Sequence, residues 1–181
     1  MRMVPNIISA FRICLVPVFI VTYFSEKSDA KIYAAVVYAI AAFSDFLDGF
    51  LARKFKVSSN LGKVLDPLGD KLMMISAMAC LTIDEVIPIP LVLAAVVKEL
   101  LMGAGGLMLH KRVHVDIPPS NIIGKTSTVV FFLVLVTLML FRNIPQGAAT
   151  ALVIGAIALM FSALASYIYT FVGIMKKGKI G

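Results

Sequence analysis

The chain has no tryptophan, two cysteines, two histidines and only ten acidic residues among its 181. Cys14 and Cys80 both sit in apolar stretches, which argues against a disulfide framework and for small buried hydrophobes. His110 and His114 fall in a basic loop bearing Pro118 and Pro119, so they read as solvated loop residues, and a zinc or copper site lacks its usual donors. Charge is scarce too: 15% of residues are charged and 60% hydrophobic, where a soluble domain carries roughly 25% charged residues. With a mean hydropathy of +0.98, the chain reads as an integral membrane protein. Its formal charge of +7 then points to anionic lipid headgroups and phosphorylated substrates, not to nucleic acid. Arg12 interrupts the first apolar run and no small-residue cleavage site follows, so the N-terminus reads as a retained helix, not a signal peptide.

What is present divides into six apolar spans of about 20 residues each, the length a bilayer requires. They cover about 6–24, 31–53, 65–86, 88–109, 122–141 and 147–174, separated by polar or proline-bearing breaks. With the N-terminus in the cytoplasm, the outer loops hold only Lys27, Lys31 and Arg142. Lys71 and Lys98 lie mid-helix, and the remaining lysines and arginines fall inside, as the positive-inside rule requires. The expected fold is therefore an all-α, six-helix membrane bundle, one domain over 1–181, with both termini in the cytoplasm. Neither an internal repeat nor a low-complexity linker divides it.

The informative stretch is 44–72, because four aspartates lie within it. Intramembrane carboxylates are costly and usually face a cavity where they work. Asp45 and Asp48 are spaced i, i+3, and Asp66 and Asp70 i, i+4, so each pair shares a helix face. Asp48 and Asp66 lie equally far from a turn centred near Val57, and Asp45 and Asp70 nearly so. In an antiparallel hairpin, equal distance means equal depth, roughly 10 Å below the cytoplasmic end. Four carboxylates in one layer repel unless cations lie between them. An all-oxygen donor set favours Mg²⁺ or Mn²⁺, and four carboxylates suit a pair of such ions binding a diphosphate. One carboxylate with a free oxygen would serve as general base for an incoming hydroxyl. Gly49, Ala52 and Gly62 would let a flat ring or a phosphate approach the backbone, and Arg53 would hold phosphate oxygens. The plainer alternatives are close helix packing for the small residues, a membrane anchor for Arg53, and a cation-transport role for the aspartates.

The pattern Asp45-x2-Asp48-Gly49-x2-Ala52-Arg53-x8-Gly62-x3-Asp66-x3-Asp70 resembles the complete signature of the CDP-alcohol phosphotransferases. The six-span layout is similar to that family's over nearly the whole chain. The resemblance implies a CDP-linked donor bound across the two signature helices, and two divalent metals among Asp45, Asp48, Asp66 and Asp70. It further implies Asp70 as base, a cytidine pocket lined by Gly49, Ala52 and Gly62, Arg53 near the phosphates, CMP as leaving group and a homodimer.

The start, Pro5-Asn6-x2-Ser9-x2-Arg12, resembles the opening of the family's bacterial phosphatidylglycerophosphate synthase branch, which uses CDP-diacylglycerol and glycerol 3-phosphate. Asn6 and Arg12 would reach phosphate from the first helix; alternatively Asn6 caps that helix and Arg12 snorkels to the interface. Lys98, deep in the fourth span beside Glu99, would face the acceptor, and Lys125 would offer a further cation or anchor the fifth span. Two departures from that branch stand out. Gly105 and Gly106 fall where a second arginine is usual, and Gly124-Lys125-Thr126-Ser127-Thr128 replaces a two-lysine motif. They open the alternative of a less charged acceptor, phosphatidylglycerol, which would make cardiolipin; glycerol 3-phosphate remains the expected acceptor.

Overall fold

In the computed structural model the described residues form six helices: α1 Val4–Tyr23, α2 Ala30–Phe55, α3 Gly62–Ile83, α4 Ile89–Val113, α5 Ile122–Leu140 and α6 Gln146–Lys177. The structure describes the backbone of residues 4–55, 62–113, 122–141 and 143–177, and the side chains of 10–44, 69–103, 122–141 and 143–169. Each helix coincides with one expected span to within a few residues. No strand occurs among the described residues.

The helices end where the local chemistry requires it. Pro145 precedes α6, and its carbonyl accepts from Ala148 and Ala149, satisfying two of the orphan N–H groups of the first turn. At the end of α3, Glu85 takes a left-handed backbone conformation with φ 59°. There the N–H of Val86 donates to Leu81 and that of Glu85 to Thr82, the paired bonds of a Schellman cap. Glycine normally occupies this position, because a side chain there costs about 1–2 kcal/mol. Glu85→Gly is therefore expected to stabilise the fold and raise Tm by about 2–4 °C; a thermal melt in detergent checks it.

The helices form two units. One comprises α1, α2 and α3 with residues 135–144; the other comprises α4, the first part of α5, and α6. In the first unit, α2 buries a stripe of Ala30, Ala34, Tyr38 and Ala41, spaced four, four and three apart, against α1 and α3. Facing it are Phe19 and Tyr23 of α1 and Met73, Ala77 and Leu81 of α3. The opposite face of α2 exposes Ile32, Val36, Ile40 and Phe43. Small residues thus pack inside and large apolar ones face out, the arrangement of a helix whose solvent is lipid. In the second unit α4 packs on α6, which buries Ala149, Val153, Ala156, Met160 and Ala163.

α5 and the stretch Gln146–Tyr169 of α6 are long and apolar enough to cross a membrane, while α1 and α2 contain shorter apolar segments, Ala10–Tyr23 and Ala30–Ser44. Charged positions interrupt α2, α3 and α4 and lower their hydropathy. Together with the exposed apolar faces, these helices describe a membrane-associated helical protein.

Candidate active site

α2 runs unbroken through positions 45, 48, 49, 52 and 53, and α3 begins at Gly62 and continues through 66 and 70. The i, i+3 and i, i+4 spacings therefore do lie on helices, and α2 packs against α3. The side chains of Asn6, Asp45, Asp48, Gly49, Ala52, Arg53, Gly62 and Asp66 lie outside the described residues. Asp70 is described and exposed, next to the buried Gly69. Tyr38 is buried in α2, two turns before Asp45.

Two contacts mark the relative register of these helices. Lys31, in the first turn of α2, forms an ion pair with Asp84, just past the end of α3. Fourteen residues separate Lys31 from Asp45, and fourteen separate Asp70 from Asp84. At 1.5 Å per residue, both aspartate positions lie about 21 Å from the ion pair. The second contact joins α1 to α2: the rings of Phe19 and Tyr38 pack at 5.9 Å. Arg12 lies seven residues before Phe19, and Asp45 seven residues after Tyr38. In this antiparallel pair Arg12 is therefore level with Asp45.

Arg12 itself is 1% exposed. A guanidinium that snorkels to the interface remains wet, so this burial argues for the inward reading of Arg12. An always-charged group so far from water costs several kcal/mol unless its surroundings offer negative charge. Helix side chains lean toward the N-terminus of their own helix, which carries the Arg12 guanidinium from the level of Asp45 toward the N-terminal end of α1.

The second unit holds a buried cation of its own. Lys98 is 4% exposed and donates from Nζ to Oε1 of Glu99 at 2.6 Å. Adjacent helix residues do not normally face each other, so both long side chains bend to make this pair. Lys125, by contrast, is exposed in the first turn of α5. Nearby, Ser127 and Thr128 donate their hydroxyls to the carbonyl of Gly124, at 2.8 and 3.1 Å. Those hydroxyls serve the backbone in place of a ligand. A Cβ added at Gly124 would meet nothing within 4 Å, so close packing does not require glycine there.

Among the described residues, no group of three or more His, Cys, Asp or Glu gathers as a metal site; of the four aspartates, only Asp70 belongs to that set. Tyr38 and the Lys31–Asp84 pair had no signal in the sequence, beyond the placement of Lys31 in an outer loop.

The profile of the CDP-alcohol phosphatidyltransferases matches residues 2–172. The chain belongs to the CDP-alcohol phosphatidyltransferase family. Among relatives of this family member, a Rickettsia bellii protein named CDP-diacylglycerol–glycerol-3-phosphate 3-phosphatidyltransferase is 34% identical over 128 residues, 68% of this chain and 67% of its own. A protein of the same name from Bacillus subtilis is 30% identical over 153 residues, 78% of each chain. A cardiolipin synthase (CMP-forming) from Streptomyces coelicolor is 36% identical over 132 residues, 69% of this chain and 59% of its own. For a CDP-alcohol phosphatidyltransferase, the aspartates of α2 and α3 and the cations of α1 and α4 are the groups whose chemistry has to be assigned.

Proposed function

We propose that this phosphatidyltransferase moves a phosphatidyl group from CDP-diacylglycerol to a hydroxyl of glycerol 3-phosphate and releases CMP. The observation that carries the reading is the shared level of Arg12, Asp45 and Asp70 on three helices tied together at their far ends. The names of the Rickettsia bellii and Bacillus subtilis relatives supply the donor and the acceptor. All six helices cross the plasma membrane in this reading, with both termini and a polar pocket on the cytoplasmic side, and the active unit is a homodimer.

The donor set fits the metals expected for it: carboxylates alone, on two packed helices, suit hard divalent ions. Two such ions, Mg²⁺ or Mn²⁺, held by Asp45, Asp48, Asp66 and Asp70, would neutralise the diphosphate and the charge developing on the attacking and leaving oxygens. Gly49, Ala52 and Gly62 admit the cytidine close to the backbone, and Arg53 with Asn6 and Arg12 holds donor phosphate oxygens. A carboxylate oxygen of Asp70 takes the proton of the acceptor hydroxyl. That hydroxyl oxygen bonds to the phosphatidyl phosphorus as the bond from this phosphorus to the bridging oxygen breaks. The bridging oxygen departs on CMP.

Lys98, with Lys125 nearer the surface, receives the acceptor phosphate. Lys98→Met should raise KM for glycerol 3-phosphate by about tenfold or more and leave KM for CDP-diacylglycerol within twofold, since a charged hydrogen bond contributes about 1.5–3 kcal/mol. Steady-state kinetics with each substrate varied checks this. Phosphatidylglycerol as acceptor is the second reading. It rests on Gly105 and Gly106 in the place of an arginine and on the Streptomyces coelicolor relative. On that reading Lys98→Met leaves turnover with phosphatidylglycerol intact. The deciding experiment supplies the two acceptors separately to purified protein and measures CMP.

A further inference from the structure

The outer ends of three helices converge on one carboxylate. Lys31 of α2 forms its ion pair with Oδ2 of Asp84, and Tyr23, the last residue of α1, donates its hydroxyl to that same oxygen at 3.0 Å. The Lys31 ammonium also lies 3.5 Å from the centre of the Tyr23 ring, within the range of a cation–π contact. The side chains of Lys31 and Asp84 are 14% and 32% exposed, so the pair is withdrawn from water in part. The Schellman cap just beyond Ile83 holds the backbone of Asp84 in place.

None of these three residues takes part in the proposed chemistry, which lies about 21 Å away along the helices. From the geometry we infer that Tyr23, Lys31 and Asp84 form a positioning clasp, which sets the axial register of α1, α2 and α3 and so keeps Arg12, Asp45 and Asp70 at one level. The inference rests on the phosphatidyltransferase reading above.

The packing between these helices explains why a clasp is needed. The buried face of α2 is largely alanine: Ala30, Ala34, Ala35 and Ala41. Alanine faces allow helices to approach closely, but their shallow ridges resist sliding weakly. Lipid supplies no hydrophobic drive toward one particular register. A metal site, however, tolerates only about 0.2 Å of error in its ligand distances, whereas slipping one helix by a single residue moves its ligands by about 1.5 Å. A directional lock joining all three helices removes that freedom. Phe19 extends it inward, touching Tyr23 at 5.8 Å and Tyr38 at 5.9 Å.

The test uses full-length protein in lipid nanodiscs and the variants Lys31→Met, Asp84→Asn, Tyr23→Phe and the charge exchange K31D/D84K. Two quantities are read: affinity for Mn²⁺ alone, from the spectrum of the free ion in electron paramagnetic resonance, and CMP release. Groups that orient metal ligands typically contribute 10–100-fold to affinity, and this clasp acts from farther away. Lys31→Met and Asp84→Asn should each weaken Mn²⁺ binding by about fivefold, Tyr23→Phe by about two- to threefold, and the exchange should return to within about twofold of the original protein. A lower Tm with unchanged Mn²⁺ affinity in the single variants would reduce the clasp to a stabilising contact and overturn the inference. So would a folded exchange variant that stays as weak as the single ones. Should either single variant fail to fold, Tyr23→Phe and the exchange decide the matter by the same criteria. An unsubstituted protein that binds Mn²⁺ but releases no CMP would sink the phosphatidyltransferase reading, and the clasp would still be judged on Mn²⁺ affinity.

Discussion

Asp70→Asn is expected to reduce CMP release by about a thousandfold or more if Asp70 is, as proposed, a metal ligand and the base for the incoming hydroxyl together. The stability of the same variant should move the other way. Asp70 is exposed, so the substitution leaves no cavity. On the proposed site, removing one of four carboxylates that share a layer also relieves repulsion in the metal-free protein. The metal-free melting temperature should therefore hold or rise, and Mn²⁺ should lose much of its power to raise it further. Melts with and without Mn²⁺, run beside the activity assay, separate this outcome from simple misfolding. A variant that melts early and recovers full turnover per folded molecule would speak against the assigned role.

Arg12 should give the second-largest effect. Arg12→Met keeps most of the aliphatic volume and deletes the charge, so a loss of binding can be read apart from a loss of packing. If the guanidinium holds a donor phosphate, KM for CDP-diacylglycerol rises by about 10–100-fold while KM for the acceptor changes little, the range for hydrogen bonds to a charged group. Arg12→Lys should fall between the two, since an ammonium keeps the charge and loses the planar two-pronged geometry. An unchanged donor KM with a large fall in Tm would assign Arg12 to the fold alone.

These residues also show what a sequence can and cannot convey about such a protein. The six helices were legible because lipid leaves few options: apolar runs of bilayer length, broken by Pro88, Pro145 and the polar stretch before Ala30, become helices or they do not fold. The aspartate pairs were legible because helical spacing is local, and i, i+3 or i, i+4 puts two side chains on one face without any knowledge of the fold. Arg12 has two readings in the sequence, and its burial, which bears on them, comes only from the packing of the helices. Lys31 and Asp84 were opaque for the same reason. They lie 53 residues apart, and each alone looks like the usual polar end of a span. Their pairing is a property of how α2 and α3 are set against each other, which no local pattern records. Glu85 hid its turn as well, since a glycine there would have announced the cap.

The measurement that reaches the central claim most directly is CMP release by the purified protein given CDP-diacylglycerol and Mg²⁺ or Mn²⁺, with glycerol 3-phosphate and phosphatidylglycerol in separate reactions. The account predicts metal-dependent release driven by glycerol 3-phosphate and lost in Asp70→Asn. Release driven by phosphatidylglycerol alone would contradict the assigned acceptor, and no release with either would contradict the assigned reaction.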